Sequence, residues 1–360
     1  MPDLTTGTYT YDSLVKKYDS FCVPLIKIIV NGTDLVEKMG FSIVELKVTL
    51  SLEAAGMAVI KIGGVYSDGK QEFDSGVKGK FALGSIVEVE IGYLSSSVNI
   101  FKGFVAMSGV EFYTAPCLVV TLMDARRLMM LSGNEHMLHN VKNYSDAFQA
   151  VIKKYSKLCS AVVDATDDKL EKPLSQIQND YLFITKELIE KGKADREFFV
   201  LGDKAYFREP RKVKQPVMAL KYGRELLSLK IDEEYQDLKI QVVGYDGEKQ
   251  TVVQGSALVK KNSDLRKVMS STPSHVLTDP SADTQAKADA KAKAIAEEKG
   301  WKACSGKGVT VGLPELVPGR FVSIESLEKD YEGYKYYIKS VVHEIRKDNF
   351  KTVFEIGGWQ

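Results

Sequence analysis

The chain of 360 residues carries 49 Lys and Arg against 48 Asp and Glu, a formal charge of +1, with 44% hydrophobic and 27% charged residues. That balance supports sizeable apolar cores beneath a solvated surface, and the near-zero charge excludes nucleic-acid or anionic-lipid binding driven by a bulk field. The opening residues MPDLTTGTYTYDSL have neither a basic nor an apolar signal region, and no run reaches about eighteen uninterrupted apolar residues.

No stable membrane insertion is therefore expected, and the length fits about two or three domains. Cys22, Cys117, Cys159 and Cys304 lie far apart without a C-x-x-C pair, which argues against a zinc site or a disulfide framework and for small buried hydrophobes.

The chain opens with a short amphipathic segment, in which Tyr11, Leu14, Val15 and Tyr18 share one helical face. Strands then dominate: Leu25–Val30, Ser42–Ser51, Ala58–Ile62, Ser85–Gly92, Ile100–Val105 and Cys117–Met123 are β-branched or alternating runs between turn residues. In SIVEVEIG, Val87, Val89 and Ile91 fall on one face and the acids on the other. Many short strands at this spacing predict a closed barrel or sandwich.

From about Asp124 to Pro210 the period becomes helical. Tyr144–Leu158 places Phe148, Val151, Ile152 and Tyr155 on one stripe, with Ser145 as the expected cap. Asn179–Lys191 repeats the pattern and Gly192 follows at a C′ position, after which Glu197–Leu201 and Lys204–Arg208 read as a hairpin. Strands return at Leu226–Glu233, Leu238–Tyr245 and Thr251–Gln254. A polar stretch, Ser270–Ala282, precedes an alanine-rich helix over 283–299, expected to lie against a barrel wall. Phe321–Ser326, Tyr334–Arg346 and Lys351–Ile356 close the chain as strands.

This order of elements resembles the phage late control protein D group, which shares its fold with the N-terminal part of VgrG proteins and with the trimeric baseplate hub of contractile tails. The likeness runs from about residue 25 onward. It is carried by Phe101-Lys102-Gly103-Phe104-Val105 with the strand ending at Asp124, by Gln178–Ile184 with the EFFVLGDKAYFREP hairpin behind it, and by the C-terminal order. That order is an Ala-rich helix, the glycine segment Gly306–Gly312, Leu316-Val317-Pro318-Gly319-Arg320 leading into a strand, and Glu332–Ile338. Pro318-Gly319 suits the centre of a tight turn.

The resemblance implies a mainly β chain with an α+β insert: a first tube-like barrel over 1–124, a middle α+β domain over 125–212 and a second tube-like barrel over 213–360. It implies a homotrimer whose six barrels meet a six-fold tail tube and a three-fold spike. VgrG chains continue into a spike, whereas this sequence stops at Gln360, so a separate spike protein is expected. The tail tube or tube-initiator protein, baseplate wedge proteins and the tape measure are the further partners. The product would be made in the bacterial cytoplasm and assembled into the baseplate of a virion, a tail-like bacteriocin or an injection particle.

No catalytic residue, cofactor or metal is expected. Glu135, His136 and His139 form an H-x-x-H with a flanking acid but lack zincin spacing. Gly306, Gly308 and Gly312 precede a strand rather than a helix, the reverse of a phosphate loop, and read as a strand-leading turn. The acidic residues Asp164, Asp167 and Asp168 leave a tail-associated cell-wall hydrolase as one alternative, and a carbohydrate-binding or adhesin β-module as another. The candidate contacts to other subunits are Tyr66 and Phe73, in the loop Tyr66–Lys80 where Phe73 is the one bulky apolar anchor, together with Tyr11 and Tyr18.

Overall fold

The alternation in Ile86–Ile91 does what its period dictates: Val87, Val89 and Ile91 are fully buried, while Glu88 and Glu90 turn outward to Lys102 and Lys27. The computed structural model describes residues 4, 7–134, 136–193, 195–235, 238–259, 270–347 and 349–359. After helix α1 (Tyr11–Lys17), the first β lobe contains β1 (Pro24–Val30), β2 (Ser42–Ser51), β3 (Met57–Gly63), β4 (Ile86–Tyr93), β5 (Ser96–Glu111) and β6 (Cys117–Met123). All pair antiparallel in the order β2-β3-β6-β5-β4-β1. Strand β5 runs six residues beyond the Val105 end expected from its pattern.

The middle module contains α2 (Ala125–Leu131), α3 (Tyr144–Lys153) and a three-stranded sheet of β7 (Ser160–Val163), β8 (Glu197–Leu201) and β9 (Lys204–Arg208). Strand β9 sits at its centre, parallel to β7 and antiparallel to β8. Asn143, not Ser145, caps α3: its Oδ1 accepts from Asp146 N at 2.8 Å, and the buried Ser145 hydroxyl instead donates to that same oxygen. The second helix starts at Asp180, capped by Asn179, and widens to π-type bonding over Phe183–Gly192. Gly192 therefore ends the helix rather than following it, and the Tyr144 ring packs against it so closely that a Cβ would lie 2.5 Å away.

The second β lobe comprises β10 (Pro216–Lys221), β11 (Leu226–Glu233), β15 (Cys304–Val311), β16 (Phe321–Glu325), β17 (Lys335–Arg346) and β18 (Asn349–Trp359). Between β11 and β15 the chain builds β12 (Lys239–Asp246), β13 (Thr251–Leu258), β14 (Ser274–Thr278) and α4 (Gln285–Lys302). The strands expected at 238–254 thus stand outside the large shared sheet, in a separate sheet of order β13-β12-β14, and the polar stretch after Ser270 contributes β14.

Helix α4 lies mainly against β12 and β13 rather than a barrel wall. Gly244 and Gly255 carry no side chain where the backbone of Ala282 and Ala288 arrives, and Ala288, Ala292 and Ala296 complete that core. Lys291 on the same helix is buried and paired with Asp279. The glycine segment is strand β15 as far as Val311, with Gly312 just past its end: the Phe354 ring covers Gly308 and the Phe350 ring covers Gly312, so side chains there would displace the aromatics. Gly319 takes φ +86, as the Pro-Gly turn requires.

The two lobes share one sheet. Strand β17 pairs with β18 on one side and with β2 on the other, in register from Ser340–Ser51 to Arg346–Glu45. One apolar core spans both lobes, with Leu46, Val48 and Leu50 beside Val341 and Ile345.

The middle module is pinned to both lobes by buried arginines. Arg126 donates to Asp124 from Nε and Nη2 (3.0 and 2.7 Å) and to the carbonyl of Ser51 (3.0 Å), while Asp124 also accepts from Gly56 N. Arg208 binds Glu197 at 2.9 Å and donates to the carbonyl of Gly319 at 2.7 Å. The Tyr337 hydroxyl donates to the same Glu197, whose carboxyl burial pushes above the usual range against the pull of Arg208 and Tyr337.

Breaking a buried pair strands a charge. Arg126→Met is expected to lower the urea-unfolding free energy by about 3–5 kcal/mol; a loss below about 0.5 kcal/mol would remove the clamp from the account.

His343 is fully buried, with Nδ1 3.0 Å from Thr352 Oγ1. Burial lowers its pKa from 6.5 to about 3, outweighing an opposing pull from the Leu316 backbone. Below pH 6.5 the unfolded chain takes up a proton that the folded chain refuses until about pH 3, so the histidine costs no stability above that window and destabilises as pH falls through it. Between pH 7 and pH 5, His343→Gln is expected to lose about 2 kcal/mol less unfolding free energy than the parent. Equal losses in the two proteins would contradict the assignment.

Candidate subunit-contact surface

Tyr66 and Phe73 face each other across a two-strand hairpin, Tyr66–Ser67 with Glu72–Phe73, followed by a short helix Ser75–Lys80. Asp74 N donates to the carbonyl of Val65, which ties the hairpin base to the end of β3. The Tyr66 and Phe73 rings meet edge to face with centroids 4.9 Å apart. A third ring, Phe112, stands 5.8 and 5.7 Å from them, each contact again edge to face. Phe73 also packs on the main core, so the cluster is anchored below, while Phe112 is 63% and Tyr113 79% exposed.

Phe112 lies just past β5, whose final residues define the surface further. Strand β4 accompanies β5 only as far as Ile86–Phe104, whereas β6 continues along it to Cys117–Glu111. Among the described residues, no strand pairs with the other side of Met107–Glu111. This free edge bears Met107, 64% exposed, and Val110, with no proline to blunt it. A charge ladder braces it from behind: Arg346 grips Glu45, and Lys61 bridges Glu45 to Glu111. The arrangement is a rigid, apolar, unpaired sheet edge ending in an aromatic tip, a combination suited to contact with another protein.

Tyr11 and Tyr18 serve the chain's own packing. Tyr18 is fully buried and its hydroxyl donates to Glu315 at 2.7 Å, while its ring meets Tyr93 and Phe21. Lys17 adds an ion pair to the same Glu315. Tyr11 stacks on Phe21 beneath the Arg224 guanidinium, 4.5 Å from its ring centroid. Helix α1 is thereby fastened to both lobes, because an apolar stripe next to a lobe of its own chain is buried there. The sequence reading missed Phe112, Tyr113 and Met107, although VEFYT continues the alternation of the preceding strand.

The remaining candidates are not brought together. His139 is buried, bonds Gln176 Oε1 at 2.7 Å and stacks on Phe183; His136 is exposed and Glu135 lies outside the described residues. Asp164 pairs with Lys212, and both Asp167 and Asp168 pair with Lys193. The backbone amide and Lys193 hold Asp167 below the usual carboxylate range; Lys212 and the Glu209 amide do so for Asp164 against its partial burial. Carboxyls shifted downward are poorly placed to act as the general acid of a glycosidase. Cys117, Cys159 and Cys304 are buried while Cys22 is exposed, and burial raises the Cys159 thiol to about 12.

Solved structures share this architecture. The tail protein from Neisseria meningitidis MC58 superposes with a TM-score of 0.68 at 11% identity, over 93% of this chain and 96% of that one. The 43 kDa tail protein of prophage MuSo2 from Shewanella oneidensis gives 0.67 at 11%, over 92% and 97%. The E. coli c3393 protein, a type VI secretion component similar to T4 bacteriophage tail proteins gp27 and gp5, gives 0.57 at 9%, over 93% and 77%. At such identities the likeness defines the fold: this is a mainly β chain with the architecture of phage tail proteins. No curated protein matches the sequence. The family model described as the Alg8 N-terminal domain matches residues 22–347, and the chain belongs to that family.

Phe112→Ser removes a mostly exposed ring and is expected to change the unfolding midpoint little; if copies of the chain meet through this surface, it weakens their association measured by sedimentation. A large fall in the unfolding midpoint would make the cluster a core element instead, and unchanged association would take it out of any contact between copies.

Proposed function

We propose that the chain is a structural hub of a contractile tail or tail-like particle, acting without catalysis as a homotrimeric adaptor between a six-fold tail tube and a three-fold spike. The observation that carries this reading is the single sheet through β2 and β17. It locks two β lobes of one chain into a fixed relation, so that three chains supply six lobes in a ring while keeping three-fold symmetry. Likeness to tail proteins over nearly the whole chain supports it, as does the late control protein D and VgrG-like order of motifs.

In this reading residues 1–124, 125–212 and 213–360 act as first tube-like barrel, middle domain and second tube-like barrel. Tyr66 and Phe73, with Phe112 and the free β5 edge, contact the neighbouring subunit. A separate spike protein binds on the three-fold side and the tube or tube-initiator protein on the other, with wedge proteins and the tape measure as further contacts. The chain is made in the bacterial cytoplasm and ends in the baseplate of a phage, bacteriocin or injection particle.

Light scattering on the purified protein, alone and with the spike protein of its own particle, tests the assembly state. A mass three times that of the chain is expected; a monomer that persists with the spike present overturns the hub reading.

A further inference from the structure

Where the first lobe meets the middle module, the structure leaves an open groove of about 730 Å³ among the described residues. Its walls are Leu83, Ile86, Phe104, Met107, Leu128 and Leu131. The floor is firm: Ile86, Phe104 and Leu128 pack directly on the core of the middle module. The lip is not covered, with Leu83 70% and Leu131 62% exposed. Isolated exposed apolar side chains are ordinary, but here they converge on one concavity.

Among the described residues that line the groove, the charged side chains all have one sign. Arg127, Lys154 and Lys157 line it, and no Asp or Glu does among the described residues. Lys154 is held by Asp180. Arg127 and Lys157 are exposed and make no ion pair among the described residues. Apart from Ser156 and Tyr155, whose hydroxyl is committed to Asp180, the polar side chains of the lining are these cations, unlike a small-molecule pocket, where a few fixed donors and acceptors orient the ligand. An apolar trough with a basic lip is the complement of an amphipathic segment whose apolar face is flanked by carboxylates.

We propose that this groove docks an acidic amphipathic segment of a different protein, with apolar side chains between Leu83, Leu128 and Leu131 and carboxylates on Arg127 and Lys157. The site is distinct from the aromatic tip at Tyr66, Phe73 and Phe112, meets the free β5 edge only at Met107, and does not depend on the hub reading.

The probe is a fluorescent synthetic helix of about four turns with leucines on one face and glutamates elsewhere, compared with its twin carrying lysines in place of the glutamates. Anisotropy titrations against the full chain are expected to show binding of the acidic helix and none of the basic one, with affinity falling as salt rises. The double variant Arg127→Glu, Lys157→Glu is expected to bind about fivefold to tenfold more weakly, and Leu131→Asp, a change at an exposed position, to abolish binding while the thermal midpoint stays in place. Equal binding of the two helices, no binding of either, or binding indifferent to these variants overturns the proposal. So does a change of oligomer mass in Leu131→Asp without acidic-helix binding by the parent, which assigns the groove to a second copy. The hub reading stands or falls separately, on the mass of the parent protein.

Discussion

The pairing of β2 with β17 is the constraint on which the molecule depends. Each strand belongs by sequence to a different end of the chain, yet they sit side by side from Ser51–Ser340 to Glu45–Arg346. Their inward side chains, among them Leu46, Val48, Val341 and Ile345, are buried within one apolar core, each contributing on the order of 1.5–3 kcal/mol by leaving water. The lobes therefore cannot rotate against each other without opening the most protected part of the sheet. Nε and Nη2 of Arg346 both donate to Glu45 Oε1 and close the exposed end of the seam.

Around that seam the polar groups act as fasteners. Arg126 ties the start of the middle module to the carbonyl of Ser51, at the end of β2 itself, and Arg208 ties β9 to the turn at Gly319 that launches β16. Both guanidiniums are buried and both are neutralised, by Asp124 and Glu197. Planar, permanently charged donors suit this work, since each satisfies a carboxylate and a carbonyl at once. Tyr18 and Lys17 add a third fastener through the buried Glu315. A chain held at so many points presents its surface features, the aromatic tip and the apolar groove, in fixed positions.

The strands were legible both where one face met the core and the other met water, as in Ser42–Ser51, and where a continuous apolar run is buried on both faces, as in Cys117–Met123. Ser42–Ser51, Cys117–Met123, Glu197–Leu201 and Lys204–Arg208 stand where alternation or β-branched runs put them. What escaped was set by contacts distant in sequence. Gly306–Gly312 read as a turn because glycine is normally a turn residue, but the rings of Phe350 and Phe354 require a bare backbone there. The alanine face of α4 pointed to a barrel wall, but Gly244 and Gly255 decide its destination by letting the helix approach β12 and β13. Of the candidate contacts, Tyr66 and Phe73 reach a partly exposed cluster, whereas Tyr11 and Tyr18 were absorbed because their stripe found an apolar surface in its own chain. Phe112 was hidden because the end of an edge strand reads like any other strand until its missing neighbour is seen.

The central claim, that paired lobes on each chain close a pseudo-six-fold ring, is tested most directly by cryo-electron microscopy of the purified assembly viewed down its axis. The account predicts an annulus of six similar densities around a channel, joined in three rigid pairs with the middle modules on the periphery. A particle with two-fold symmetry, or three copies touching through their middle modules with the lobes pointing outward, would contradict it.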